Sequence, residues 1–252
     1  MPKRSKNSIL SMIPLKHRNE RGKINQMEIE LSPLYPTILL KASIPEMLPY
    51  HEQIVEIVMD LAVSGNISKS ENKDSRHMGY QTPASLFERN DECFLRLKQV
   101  HQFLLKRYLQ TDPGYRDQYK ENQIPENETV CWAYIQNEKQ ISSYVHHHGS
   151  FGISAVYYVR VPENLQGFQG NISFCDPRGP GIASLLGTPL PSENSFHLPR
   201  EGMMFLFPSW LQHRPLPTSD SSGWRISLGI DTNFKFQLRK REAIPGNPVK
   251  KI

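Results

Sequence analysis

A chain of 252 residues is long enough for one large domain, with or without helical additions, and for a sizeable buried core. Its three cysteines, Cys93, Cys131 and Cys175, are odd in number and widely scattered, which argues against a disulfide framework or a Cys-ligated zinc site and fits a reducing compartment. The net charge of +5 sits at the ends: residues 1–24 sum to +6 and residues 235–252 to +5, which leaves the middle at −6. Basic ends with few interleaved aromatics read as solvated tails, so no nucleic acid partner is expected. No apolar run approaches the roughly 20 residues of a membrane helix. The first residues also lack the charged-then-apolar order of a secretory leader, and the expectation is a cytoplasmic protein with no membrane attachment.

Residues 1–27 are expected to be a disordered basic tail and residues 235–252 a second one. A single domain is expected between them, over 28–234, with a helical front at 45–115 and a β core at 128–234. In "LSPLYPTILLKASIP" an extended strand enters through Pro36. In "HEQIVEIVMDLAVSG", Ile54, Ile57, Val58 and Leu61 recur at i, i+3, i+4, i+7 and Gly65 supplies a stop, which predicts an amphipathic helix. A polar connection over 66–82 leads to a second helix, with Ser85 and Glu88 spaced as a capping box and Phe94, Leu97, Leu104 and Tyr108 on one face. Asp112-Pro113-Gly114 ends it.

From about residue 128 the texture changes to short β-rich runs broken by Gly and Pro: "VCWAYIQ", "ISSYVHHH", "ISAVYYVRVP", "GNISFCDP", "GMMFLFP" and "WRISLGIDTNF". No helical segment alternates with them, so the expectation is a mainly β fold with a helical N-terminal part, a sandwich or jelly roll. The stretch from Gly179 to Glu201 has no clear period; a loop of that length is usually a lid or binding loop, expected here to cover the site and select the substrate.

The run "YVHHHGSFGIS" places three histidines in a row. In a strand, alternate side chains share a face, so His146 and His148 point together and His147 points away. An H-x-H pair is a natural chelate but needs a third ligand, and "FPSWLQHRPLP" offers His213 after an apolar strand. Arg225, Ser227 and Gly229 then share one face of "WRISLGID". If that face points inward, a buried Arg without a partner is costly and asks for an anion, which a dicarboxylate satisfies as a bidentate salt bridge. A strand-end histidine alone is commonly a surface or satisfied core residue; His213 and Arg225, in this order, favour a metal site. Asp176 and Arg178 in "CDPRGP" read as a turn, with substrate contact as the alternative. Tyr157 and Tyr158 alternate faces, so only one can line a barrel; Tyr157 is assigned to the substrate side.

Taken together, "HHHGSFGISAVYYV", "GNISFCDPR", "EGMMFLFPSWLQH" and "WRISLGID" resemble the Fe(II)/2-oxoglutarate-dependent oxygenases of bacteria and phages, relatives of the prolyl hydroxylase group with a double-stranded β-helix (jelly-roll, cupin-like) fold. The resemblance runs from about "LSPLYPTILLK" to Asn233. It implies His146, His148 and His213 as iron ligands, Arg225 as the residue for the distal carboxylate of 2-oxoglutarate with Ser227 as its helper, and O2 as co-reactant. It further implies hydroxylation of a small-molecule or amino-acid-type substrate with release of succinate and CO2, and a homodimer. Two departures stand out: Ala155 follows the motif serine where the family carries Gly, and Tyr134 stands in place of Asn at the cosubstrate contact. In addition, the usual facial triad is two His and one carboxylate, and here His148 takes the carboxylate's position. If His147 were the ligand, "HHG" would instead resemble iron halogenases. A three-His cupin-type dioxygenase without 2-oxoglutarate and a non-catalytic metal-binding jelly roll are the remaining alternatives.

Overall fold

Alternation along three long strands organises the molecule. The computed structural model describes residues 36–63, 80–111, 124–136, 144–149, 152–177, 193–218 and 223–235. The chain divides into two units, 1–36 and 37–252, and the elements below belong to the second. The strands are β1 (Leu40–Ser43), β2 (Tyr80–Gln81), β3 (Asn127–Gln136), β4 (Gly152–Arg160), β5 (Ile172–Cys175), β6 (Glu193–His197), β7 (Met203–Pro208), β8 (His213–Pro215) and β9 (Arg225–Phe234). A six-stranded sheet runs β1-β7-β4-β9-β3-β2 and a three-stranded sheet β6-β5-β8, with every pairing antiparallel. Most neighbours in a sheet are distant in sequence, so the register, and not local hairpins, brings the site together.

Each long strand of the large sheet has an apolar face and a functional face. Cys131, Ala133 and Ile135 of β3, Ile153, Tyr157 and Val159 of β4, and Ile226, Leu228 and Ile230 of β9 form one core with the helices α1 (His51–Val63) and α2 (Glu92–Thr111). Ile54 and Val58 of α1 lie one turn apart and are fully buried; Phe94, Leu97, Leu105 and Tyr108 do the same work on α2. Burial of each such aliphatic or aromatic side chain contributes about 1.5–3 kcal/mol, which is how two short helices stay on the sheet. On the other face, Phe205 and Phe207 of β7 and Tyr158 of β4 meet Ile172 and Phe174 of β5 and Leu211 in a smaller core between the sheets.

Four expectations need correction. The capping box does not form: Leu86–Glu88 is a single 3-10 turn, Ser85 makes no side-chain cap, and α2 starts at Glu92, with Phe94 and Leu95 N–H bonded to the Asp91 carbonyl. The segment before His148 is no strand among the described residues; His146 makes only an isolated bridge to His213. Part of the expected loop 179–201 is strand β6, an edge strand paired with β5, and edge strands need only one apolar face. Its sequence, "ENSFH", carries too little apolar alternation to be recognised locally. Finally, the first strand, expected to be entered through Pro36, begins at Leu40 and is four residues long, and residues 36–39 are not strand. The two basic tails, Arg178 and residues 179–192 lie outside the described residues, as do Gly65 and Asp112-Pro113-Gly114. No helix among the described residues is long and apolar enough to cross a membrane.

Candidate metal centre

His146 and His213 face each other across an isolated antiparallel bridge in which both backbone bonds form, His146 N–H to His213 O at 3.0 Å and His213 N–H to His146 O at 2.9 Å. The His148 N–H donates to Ser209 O at 2.8 Å, which pins the other end of the H-x-H segment to the turn after β7. With the backbone clamped at both points, His146 and His148 fall on one side. One ring nitrogen from each of His146, His148 and His213 lies within 4.8 Å of the others. His147 turns away, exposed, and its Nδ1 accepts the Gly149 N–H.

All three ligand-candidate rings are oriented by their Nδ1 atoms. His146 Nδ1–H donates to Tyr144 O at 2.8 Å, His213 Nδ1–H to Leu211 O at 2.9 Å, and His148 Nδ1–H to Asp231 Oδ2 at 2.8 Å. Carbonyl and carboxylate oxygens only accept, so each Nδ1 carries the proton and each Nε2 presents a lone pair. Burial, reinforced by the neighbouring His146, pushes His213 down to about 3, and burial also lowers His146. Both rings are thereby kept in the neutral form that binds metals.

Beyond the triad, β9 lines a cavity of about 580 Å³ between the two sheets. Register sets its contents in rows. Asp231 is level with Val130 and Ser154, Gly229 with Trp132 and Val156, Ser227 with Tyr134 and Tyr158, and Arg225 with Gln136. A molecule lying along β9 from the histidines passes Trp132, then a row of three hydroxyls, and ends at a guanidinium. Arg225 is 2% exposed. Its Nε and one terminal nitrogen donate to Gln136 Oε1, and the other terminal nitrogen donates to Leu216 O at 2.8 Å and Gly170 O at 3.3 Å. All of these partners are uncharged, and burial pulls the guanidinium below its ordinary value.

The structure therefore brings His146, His148, His213, Arg225, Ser227 and Tyr134 to one cavity. Tyr157 is not in it. Its hydroxyl lies 2.7 Å from His51 Nε2 on the helical side, and Tyr158, one residue on, takes the cavity face. The alternation was correct and its phase inverted, because Ser154 marks the inward parity of β4 and Tyr157 has the opposite one. Asp176 follows β5, away from the cavity lining. Asp231, Gln136, Trp132 and Ser209 escaped the sequence reading. Asp231 was within reach: the face read as Arg225, Ser227, Gly229 continues to it two residues later.

The family model described as "Putative 2OG-Fe(II) oxygenase" matches residues 130–231, from the cavity face of β3 to Asp231. No curated protein matches the sequence. Among solved structures, a prolyl-4-hydroxylase from Pseudomonas putida aligns at 15% identity and TM-score 0.50 over 79% of this chain and 93% of that one. A prolyl hydroxylase from Trichoplax adhaerens, in complex with a hypoxia inducible factor peptide fragment, aligns at 13% and 0.51 over 78% and 83%. HygX from Streptomyces hygroscopicus, with nickel and 2-oxoglutarate bound, aligns at 12% and 0.52 over 79% and 84%. At such identities these likenesses establish the fold, the jelly roll of 2-oxoglutarate oxygenases, with its helices on the outer face of the larger sheet. Over residues 130–231 the chain is similar to the 2OG-Fe(II) oxygenase family.

Proposed function

We propose that the protein is a non-haem Fe(II)/2-oxoglutarate-dependent dioxygenase that hydroxylates a C–H bond of a small molecule or amino-acid derivative. One observation carries the reading: a single cavity holds three converging imidazoles at one place and, along β9, a buried guanidinium whose described partners are all neutral. The donor set fits iron. Imidazole nitrogen is a ligand for Fe(II), and three protein ligands leave positions open, unlike the closed four-ligand sites of structural zinc. HygX, of the same fold, holds nickel with 2-oxoglutarate, which supports a divalent cation beside the cosubstrate.

In this reading His146, His148 and His213 hold iron, and Arg225 pairs with the far carboxylate of 2-oxoglutarate, helped by the Ser227 and Tyr134 hydroxyls. The bound iron and cosubstrate supply the oxidation: O2 is consumed, 2-oxoglutarate leaves as succinate and CO2, and one oxygen atom enters the C–H bond. The chain's own part is placement. Arg225 ends the cavity with one positive charge, so a dicarboxylate of matching length is selected over a monocarboxylate. Trp132, Tyr158 and Phe207 make a wall that keeps water from the reacting centre. The buried Arg225 also weighs against a three-His dioxygenase without 2-oxoglutarate, and His147, outside the cluster, weighs against the halogenase register.

The test is anaerobic titration of the Fe(II)-loaded protein with 2-oxoglutarate, followed by the weak visible charge-transfer band of the chelate. Wild type should develop the band, His213→Ala should lose it, and Arg225→Met should require at least ~30-fold more 2-oxoglutarate, as expected when a buried charged partner worth about 2–5 kcal/mol is removed. Bound iron with no band at any 2-oxoglutarate concentration would refute the cosubstrate assignment.

A further inference from the structure

A centre of two imidazoles and one carboxylate carries a negative charge in its ligand set; three imidazoles carry none. We propose that Asp231 restores that charge from one bond further out: its carboxylate, fixed behind His148, is a positioning residue that raises the affinity of the three-histidine site for a divalent cation. The inference rests on the metal-centre reading above.

The three rings are not equivalent. His146 and His213 donate to backbone carbonyls, while His148 alone donates to a carboxylate. A carboxylate against Nδ1–H makes the opposite nitrogen a more basic, more anionic donor. His148 is also the ring that stands where the usual triad has its acid, so the charge is displaced along the same line. Both oxygens of Asp231 are engaged: Oδ2 by His148, and Oδ1 by the Ser154 hydroxyl at 2.7 Å. Ser154 Oγ lies 3.0 Å from Ser209 Oγ, and the Ser209 carbonyl accepts the His148 backbone N–H. Ring, carboxylate and backbone thus close one loop of hydrogen bonds around His148.

The arrangement is held from the other side as well. Trp132 stacks on the His148 ring, with centroids 5.6 Å apart and planes at 21°. It reaches there because residue 229 is Gly: a Cβ at that position would lie 2.5 Å from the indole. Asp231 and His148 are 15% and 18% exposed, and His148 is the only basic group within ion-pair distance of this carboxylate among the described residues. Such a charge is only partly screened by solvent, so it acts on whatever the imidazole binds.

The experiment is calorimetric titration of the metal-free protein with Co(II), without 2-oxoglutarate or substrate, with the Co(II) d–d absorption recorded in parallel. Asp231→Asn keeps the shape and an acceptor for Nδ1–H but removes the charge. It should weaken Co(II) binding about 10–100-fold and shift the d–d bands. The double variant His148→Asp with Asp231→Asn moves the charge back to the ligand position and should bind within about threefold of wild type. An Asp231→Asn protein that binds as wild type does, or a double variant that binds as weakly as Asp231→Asn, overturns the inference. A wild type that binds no divalent cation sinks the metal-centre reading itself, so the two failures are distinct. Circular dichroism of the metal-free proteins separates misfolding from lost binding; should the single variant not fold, the double variant against wild type decides.

Discussion

His101 shows what burial alone does to one side chain. It sits in the α2 core, fully buried beside Phe87, and neither ring nitrogen has a hydrogen-bond partner among the described residues. Burial pushes it down to about 4. The unfolded chain therefore takes up this proton near pH 6.5 while the folded chain resists until about 4, so stability is full above pH 6.5 and is lost as pH falls between those values, by about 3 kcal/mol. His101→Leu removes two orphaned polar atoms at similar volume. It should raise stability at pH 7 by about 1 kcal/mol and flatten the decline below pH 6.5, as read by urea denaturation at pH 7 and pH 4.5. Arg225 is the contrasting case. It too is buried, but its cost is offset by neutral acceptors and, in the proposed function, by the anion it is there to bind, so the same physics yields a binding site.

At the scale of elements, strand parity decides which residues act. Tyr157 and Tyr158 are adjacent and chemically identical, yet one ties β4 to α1 through His51 and the other lines the cavity. Tyr157→Phe should cost about 1 kcal/mol of stability, the net worth of a buried hydrogen bond, and leave 2-oxoglutarate affinity within twofold. Tyr158→Ala, which opens the wall beside Ser227, should change that affinity by at least about fivefold, as follows from losing packing worth over 1 kcal/mol at the site. Gly229 belongs to the same logic: Gly229→Ala has no room beneath Trp132, must displace it from His148, and should weaken metal binding while altering tryptophan fluorescence. Short β-rich runs bounded by Gly and Pro made β3, β4, β7 and β9 legible in advance, and strand alternation put Arg225 and Ser227 on one face. The parity of β4 was not legible, because "ISAVYYV" is apolar on both faces.

In the whole molecule, the large sheet separates stability from function. Its helical face holds the main core, and its other face holds the cavity. A core truncation such as Leu97→Ala, at a fully buried position of α2, should cost about 3 kcal/mol yet leave Co(II) affinity within twofold at temperatures where the protein is folded. Calorimetry and titration of one sample would show both. Sequence alone determined the local matters: two helices from their 3.6 period, the long strands from β-rich runs bounded by Gly and Pro, the H-x-H pair, and a guanidinium and hydroxyl sharing a face. These properties repeat every two to four residues and need no distant partner. Only tertiary structure decided the rest. Strand β6 exists because β5 offers it an edge, α2 begins at Glu92 because its packing outranks a local capping signal, and Asp231 lies 2.8 Å from His148, 83 positions away, because the β4–β9 register sets it beside Ser154 while the Ser209 carbonyl holds the His148 backbone there. Such pairings are properties of a sheet's register, which no local window of the chain contains.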